Sequence, residues 1–347
     1  MGKVNPIMPD LKYYLRVLSG MSFQKFSEVL ERTHKFSGKN KLWLTLDMIH
    51  CARKFGAGYY DYLTFGFWDL TDEQRATYVT RIVSKKLVTF LNDESYYHIF
   101  DHKEEFQTVY HEFTKRDFVD CRTASKEEVR AFVEKNPVMF SKPAHDSSCG
   151  KGCQKIDSRE YPDFDTFYAA LPELDAWLLE TVLEQHPDNA AVYPNAMNCM
   201  RLITLIDSKG EPHVLFATQK FGLNGRVVDN YGFGCRVDLE TGKICSPGVS
   251  GDGSLGITYD EHPMTHVKLV GRQVPLFFEA CEMVKKAALK IPQMRYVGWD
   301  VGIAPDGPVI IEGNNYTAHD FWQLPAQTPE KRGMLPRIME LVPEFKR

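Results

Sequence analysis

Tyr296 to Asn314 constrain the fold of this chain more than any other stretch. They read Tyr-Val-Gly-Trp-Asp-Val-Gly-Ile-Ala-Pro-Asp-Gly-Pro-Val-Ile-Ile-Glu-Gly-Asn: an apolar run, a turn signal from Pro305 to Pro308, and a second apolar run. That is the pattern of a β-hairpin. Alternation along a strand puts Glu312 and Asn314 on one face, and folding back about Asp306 and Gly307 brings Asp300 roughly opposite Glu312. Two carboxylates and an amide oxygen then converge. Like charges opposed across a strand pair destabilise it unless a cation lies between them, and hard oxygen ligands suit Mg²⁺. The competing reading is a solvated face on which two acids tolerate each other. The apolar neighbours Val297, Trp299, Val301, Val309, Ile310 and Ile311 weigh against it, because such a run belongs in a core and buried charge needs a partner.

With 347 residues, 43% of them hydrophobic and 25% charged, the chain has material for two or three domains. A net charge of -4 gives no basic field, which argues against nucleic acid as a partner. No apolar run approaches the roughly 18 residues of a membrane span, and the start, Met-Gly-Lys-Val-Asn-Pro, lacks the apolar centre of a signal peptide. The expectation is a cytoplasmic protein. Eight cysteines at irregular spacing, with no CxxC pair, predict neither a disulfide framework nor a zinc cluster, and Cys149 and Cys153 read as loop residues.

Residues 1–100 read as helical, with apolar residues at helical spacing through Phe23, Phe26, Val29 and Leu30 and again through Leu42, Leu46 and Ile49. The aromatics of Tyr59 to Asp72 read as core in preference to a substrate platform. Thr71 with Gln74 predicts a capped helix carrying Lys85 and Lys86 on its solvated side. Asp101 to Phe118 reads as one charged amphipathic helix, and Ser125 with Glu128 caps the next. Pro137 to Pro143 is a short strand ending in Lys142. The small residues behind it, including Ser147, Ser148 and Gly150, let amides approach phosphate oxygens beside the lysine charge. An ordinary hairpin connection explains them equally well, and neither the P-loop pattern nor the Rossmann glycine fingerprint is present.

Leu178 onward is an apolar strand carrying Glu180, whose carboxylate and free main-chain groups can read an adenine edge. His186 reads as structural beside Pro187. Asn198 to Ile206 is a strand returning through Val214 to Gln219, and Arg201 within it needs an anion: a phosphate, an acyl phosphate or an internal carboxylate. A helix over Val274 to Lys290 precedes the hairpin, and Thr317 to Arg347 closes the chain with one helix.

Gly298-Trp299-Asp300-Val301, the turn at Gly307-Pro308 and Ile311-Glu312-Gly313-Asn314 resemble the metal-binding end of the ATP-grasp superfamily, and more closely the sugar-transfer-associated ATP-grasp family. The resemblance runs in order through Asp61-Tyr62, Phe65 and Phe67, Asp101 to Arg116, Lys142-Pro143, Glu180 to Pro187, and Asn198 with Arg201. It implies an α+β ATP-grasp fold whose two α+β lobes clamp a nucleotide, preceded by a helical N-terminal region, with divisions at 1–100, 101–185 and 186–347. ATP and one or two Mg²⁺ ions, or Mn²⁺, are the implied cofactors. Lys103 and Lys142, with Ser147, Ser148 and Gly150, would meet phosphate. Glu180 and the main chain at Val182 and Leu183 would face adenine, and Glu184 the ribose. Arg201 would hold the γ-phosphate or acyl phosphate, acting catalytically with Lys142, while Asp300, Glu312 and Asn314 would hold the metal. Gly232-Phe233-Gly234-Cys235, where relatives carry paired glycines, is a departure, as are Cys149 and Cys153 in the loop.

The implied activity is that of an ATP-dependent carboxylate-amine ligase working through an acyl phosphate, in surface-glycan or amino-sugar modification. Its partners would be a small carboxylate and an amine or sugar acceptor, and an oligomer is compatible with this. A hydroxyl kinase on the same scaffold and a non-catalytic nucleotide-binding protein are the rivals. His262, Thr265, Asp320 and Gln323 are candidates for the acceptor side, with a structural role as the alternative.

Overall fold

The computed structural model describes residues 22–143, 152–229, 232–250 and 256–347. Ser147, Ser148, Cys149 and Gly150 lie outside them. Ser22 caps α1 (Phe23–Ser37) and Asn40 caps α2 (Lys41–Phe55). Both helices stop at a glycine in the left-handed region, Gly38 at φ 66 and Gly56 at φ 65, where a side chain would be strained. The aromatics Tyr62, Phe65 and Phe67 pack with Leu44, Met48 and Phe55 in a buried cluster, so the core reading of that segment holds. The Thr71 and Gln74 capping box forms, but it opens only one turn, Asp72–Arg75. Arg75 folds back onto Asp47 at 2.6 Å and onto the Phe67 carbonyl at 2.7 Å. Lys85 and Lys86 instead lie on the exposed side of a separate helix, α3 (Arg81–Leu91).

The single helix expected from Asp101 to Phe118 is likewise broken. It contains α4 (Lys103–Val109), leaves helical geometry at Tyr110, and turns at Lys115, which has φ 49. That turn delivers Arg116 and the first strand.

Four antiparallel strands form the smaller sheet: β1 (Phe118–Asp120), β2 (Val138–Lys142), β3 (Gln154–Asp157) and β4 (Leu178–Thr181), in the order β1-β4-β2-β3. Helices α5 (Lys126–Lys135) and α6 (Phe164–Ala170) cover one face. There Val129, Val133 and Phe167 pack against Met139, Ile156 and Leu179. Phe140 is paired with Glu180 in register, so alternation places Phe140, Lys142 and Glu180 together on the uncovered face.

The larger sheet has seven strands: β5 (Met200–Ile206), β6 (Pro212–Phe221), β7 (Phe233–Arg236), β8 (Gly248–Ser250), β9 (Thr258–Tyr259), β10 (Tyr296–Ala304) and β11 (Gly307–Asn314). Their order is β11-β10-β5-β6-β7-β8-β9, antiparallel throughout. Helix α7 (Phe277–Lys290) covers one face, over Leu202, Val297, Trp299 and Ile310. On the opposite face, Ile203, Leu205, Phe216 and Tyr296 pack against α3 and the closing helix α8 (Leu335–Leu341). Every residue of β10 is buried, which is why that strand reads apolar on both sides. Among the described residues every cysteine is free, and no helix is long and apolar enough to cross a membrane.

Candidate active site

The hairpin register sets the site. β10 pairs Asp300 with Glu312 on β11 and with Arg201 on β5, and Arg201 pairs with Thr218 on β6. Lys220 lies two residues beyond Thr218, on the same face. One face of the sheet therefore carries a charged row, Glu312, Asp300, Arg201 and Lys220, at the end not covered by α3 and α8. The Arg201 guanidinium grips Asp300 through two bonds, Nε to Oδ1 at 2.5 Å and Nη2 to Oδ2 at 2.9 Å. Of the partners open to Arg201, the internal carboxylate is the one it meets here. Lys220 Nζ lies 3.0 Å from Asp229 and 3.8 Å from Asp300.

These neighbours separate the two acids electrostatically. Burial alone would raise the Asp300 carboxyl, but Arg201 and Lys220 outweigh it and hold it well below the carboxylate range. Burial first, and then the Asp300 charge, push the Glu312 carboxyl upward; the charges of Lys142 and Arg201 oppose the rise but do not outweigh it. Glu312 keeps accessible surface although protein surrounds it at longer range. The surface it exposes is the wall of a cavity and not the convex exterior.

That cavity, about 540 Å³, lies between the row and the uncovered face of the smaller sheet. Lys103, Lys142, Glu180, Val182, Leu183, Glu184, Asp300 and Glu312 all line it. Residues separated by two hundred positions are thus brought to one volume of ligand size. Asn314 lines a smaller adjoining cavity with Lys103, Lys142 and Glu312, and its amide donates to the Gly298 carbonyl at 3.3 Å. Lys103 donates to the Pro143 carbonyl at 3.2 Å. Burial, reinforced by the Lys142 charge, holds its ammonium below the usual lysine value. Cys153 also faces the cavity, and burial raises its thiol.

Glu180 departs from the adenine-facing role expected of its carboxylate. It is fully buried and accepts from Arg116 at 2.5 Å, Lys142 at 2.7 Å and Gln107 at 2.9 Å. Both oxygens are engaged, so the main chain beyond β4 is what remains to meet a base. Arg116 also donates to the carbonyls of Ile310 and Ile311, at 3.2 and 2.9 Å. Those carbonyls belong to a β-bulge, where the pairing steps from Asp300 with Glu312 to Val301 with Ile310. A bulge frees main-chain groups from the ladder, and Arg116 takes them up.

Three of the four acceptor-side candidates prove structural. His262 is buried, bonded to the Gly222 carbonyl at 3.0 Å and stacked on Tyr193. Thr265 donates to Val192, and Gln323 latches Val79 through two main-chain bonds. Asp320 lines a different cavity. Arg116, Gln107, Lys220 and Asp229 were not singled out from the sequence. Only Lys220 carried a usable signal, since strand alternation from Thr218 puts it beside Arg201.

The donor set fits a hard divalent cation. Asp300 and Glu312 are paired in register, Glu312 opens to the cavity, and each carboxylate oxygen has a second lone pair beyond its protein bond. Among the described residues no cluster of three His, Cys, Asp or Glu side chains could hold a metal. A cation there would complete its shell with phosphate oxygens and water, as Mg²⁺ does.

Two α+β lobes facing each other across a cavity lined by lysines and paired carboxylates define an ATP-grasp protein. Residues 82–340, well over half of the chain, match the family described as sugar-transfer associated ATP-grasp. The chain belongs to that family.

Comparison with curated protein sequences gives no match. Solved structures of similar fold include the ATP-grasp ligase PsnB complexed with minimal precursor, Mg and ADP, at 12% identity and TM-score 0.37, covering 71% of this chain and 61% of that one. The ADP complex of purK, N5-carboxyaminoimidazole ribonucleotide synthetase, aligns at 11% identity and TM-score 0.38 over 64% of this chain and 46% of that one. D-alanyl-alanine synthetase A from Vibrio cholerae O1 biovar eltor str. N16961 aligns at 14% identity and TM-score 0.37, over 70% and 60% respectively. The chain spans less than two thirds of the length of each.

Proposed function

We propose that the protein is an ATP-dependent ligase that activates a small carboxylate as an acyl phosphate and passes the acyl group to an amine or related nucleophile, in the modification of a surface glycan or amino sugar. The observation that carries this reading is the register-matched pair Asp300 and Glu312, facing Lys103 and Lys142 across one cavity. Bound Mg²⁺-ATP supplies the transferable phosphoryl group and its charge neutralisation. The chain supplies position and fixed charge. Lys103 and Lys142 offset phosphate charge from the smaller sheet, and Glu184 would accept from the ribose hydroxyls. Val182 and Leu183 present main chain to the base. Asp300, Glu312 and Asn314 would hold the metal, with Arg201 and Lys220 keeping Asp300 ionised. Arg201 can also turn one guanidinium edge toward the charge that develops during transfer. A cavity walled by both sheets keeps water from an acyl phosphate.

The family description, sugar-transfer associated, supports a glycan setting. ADP release is the test, screened with amino acids and other small carboxylates against amino sugars and amines and read by mass spectrometry. The expected result is ADP release that needs both a carboxylate and an acceptor, with a condensed product. ADP with a stable phosphorylated hydroxyl product would replace the ligase by a kinase, and no turnover with any pair would favour a nucleotide-binding protein.

A further inference from the structure

A second cavity, of about 1400 Å³, opens where α3 meets the segment following β11 and the C-terminal residues. It lies on the sheet face that bears the charged row. Helix α3 packs on Ile203, Leu205 and Phe216 of that face, and Thr317 covers Gly298 so closely that a Cβ there would come within 2.5 Å of its hydroxyl. Tyr316 and His319, on the chain leaving Glu312 and Asn314, form part of the wall.

The charge around this cavity is unbalanced. Arg81, Lys85 and Lys86 of α3 and Lys346 line it, all exposed. None of the four has an ion-pair partner among the described residues. Two of the acids are already engaged. Glu344 meets Arg295 at 3.3 Å, and Asp61 accepts from the amides of Gly58 and Arg81 at 2.9 and 3.0 Å. The lining therefore carries four cations against three acids, two of which already have partners elsewhere. Lysines on a helix are usually just solvated, but these surround a concavity, where fields of one sign are focused.

A second observation points to a ligand. Asp61, only 5% exposed, bonds His319 Nε2 at 2.9 Å. The ring is thereby held through Nε2, while Nδ1, with no partner among the described residues, is left to hydrogen-bond a ligand. Tyr60 and Tyr316 expose 44% and 52% of their surface on the same cavity. Cations suit phosphate, and exposed rings beside a hydrogen-bonding group suit a sugar or base.

We propose that this cavity is a second ligand site that takes a sugar diphosphate, with Arg81, Lys85, Lys86 and Lys346 toward the diphosphate and Tyr60, Tyr316 and His319 toward the ring and its hydroxyls. That such a ligand is the acceptor of the ligation rests on the reading above; that the cavity binds a diphosphate does not. The test is calorimetric titration of the full chain, first with Mg²⁺ and the non-hydrolysable analogue AMPPNP, then with UDP-N-acetylglucosamine or inorganic pyrophosphate once the nucleotide site is saturated.

UDP-N-acetylglucosamine is expected to bind, more tightly than pyrophosphate. The double variant Lys85→Ala/Lys86→Ala should weaken it at least tenfold with an unchanged melting temperature, while Lys268→Ala, outside the cavity, leaves it as in the wild type. No heat with either probe, or an undiminished affinity in the double variant, overturns the site. Pyrophosphate binding as tightly as the sugar nucleotide overturns the sugar assignment. Capture on phosphatidylglycerol vesicles without binding of either soluble probe overturns it in favour of a membrane surface. Absence of AMPPNP heat beside a diphosphate signal that needs Lys85 and Lys86 leaves the cavity reading standing and removes the nucleotide reading.

Discussion

Each of the two sheets buries a carboxylate against an arginine, and the two carboxylates end differently. In the smaller sheet Glu180 is closed off: it is fully buried, and Arg116, Lys142 and Gln107 take up its two oxygens. In the larger sheet Asp300 is gripped by Arg201 on one side, but on the other it faces Glu312, a second acid open to the cavity. A saturated carboxylate organises structure. A row that runs out in an unneutralised acid leaves a vacancy of charge that a cation can fill, and burial alone would not have told the two apart.

Substitutions can break this contrast. Glu312→Gln should lower Mg²⁺-ATP turnover by about a hundredfold or more while leaving the melting temperature unchanged or higher, since it removes an acid held against Asp300. Full activity in that variant would sink the metal assignment. Arg201→Ala is expected to reduce kcat by about a hundredfold with a smaller change in nucleotide affinity, because an interaction made in the transition state is lost from kcat. Steady-state kinetics beside direct nucleotide binding separates that from equal losses, which would make Arg201 only a partner of Asp300.

On the saturated side the expected effect is on stability. Arg116→Ala removes one of the charges facing buried Glu180 and leaves the bulge carbonyls unmet, a loss of about 3 kcal/mol by the usual cost of breaking a buried pair, measurable by denaturant unfolding. If Arg116→Ala were as stable as the wild type, the distinction between the two sheets would fail. The smallest effect concerns pH. Burial opposes ionisation of Glu180, but Arg116 and Lys142 outweigh it and depress its carboxyl. A depressed carboxyl contributes stability that is present above the unfolded value of 4.5 and is lost as pH falls through the folded one. Unfolding curves should therefore show Glu180→Gln losing part of the wild type's decline below that pH.

The hairpin was legible because strand period, apolar content and the Pro305 to Pro308 turn agree, and together they bring Asp300 near Glu312; the in-register pairing of the two comes from the bulge. Lys142 was legible as the end of a strand. Glu180 was seen as a site residue but misjudged in its role, since its chief partner Arg116 stands 64 positions away, beyond a turn that no local pattern predicts. The bulge at Ile311 was equally hidden: it depends on contact between the two sheets. Helix breaks at Arg75 and Tyr110 escaped for a related reason, tertiary contacts outcompeting local propensity: Arg75 bonds Asp47 and the Phe67 carbonyl, and Tyr110 is buried against Phe106 and Trp299.

Arg116 ties those points together mechanically. One guanidinium donates to Glu180 of the smaller sheet and to Ile310 and Ile311 of the larger, so it acts as a rivet between the lobes. Lys142 shares Glu180 with it, and Ile311 directly precedes Glu312. One side chain thus sets the distance across the cavity between the lysine of one sheet and the acid of the other.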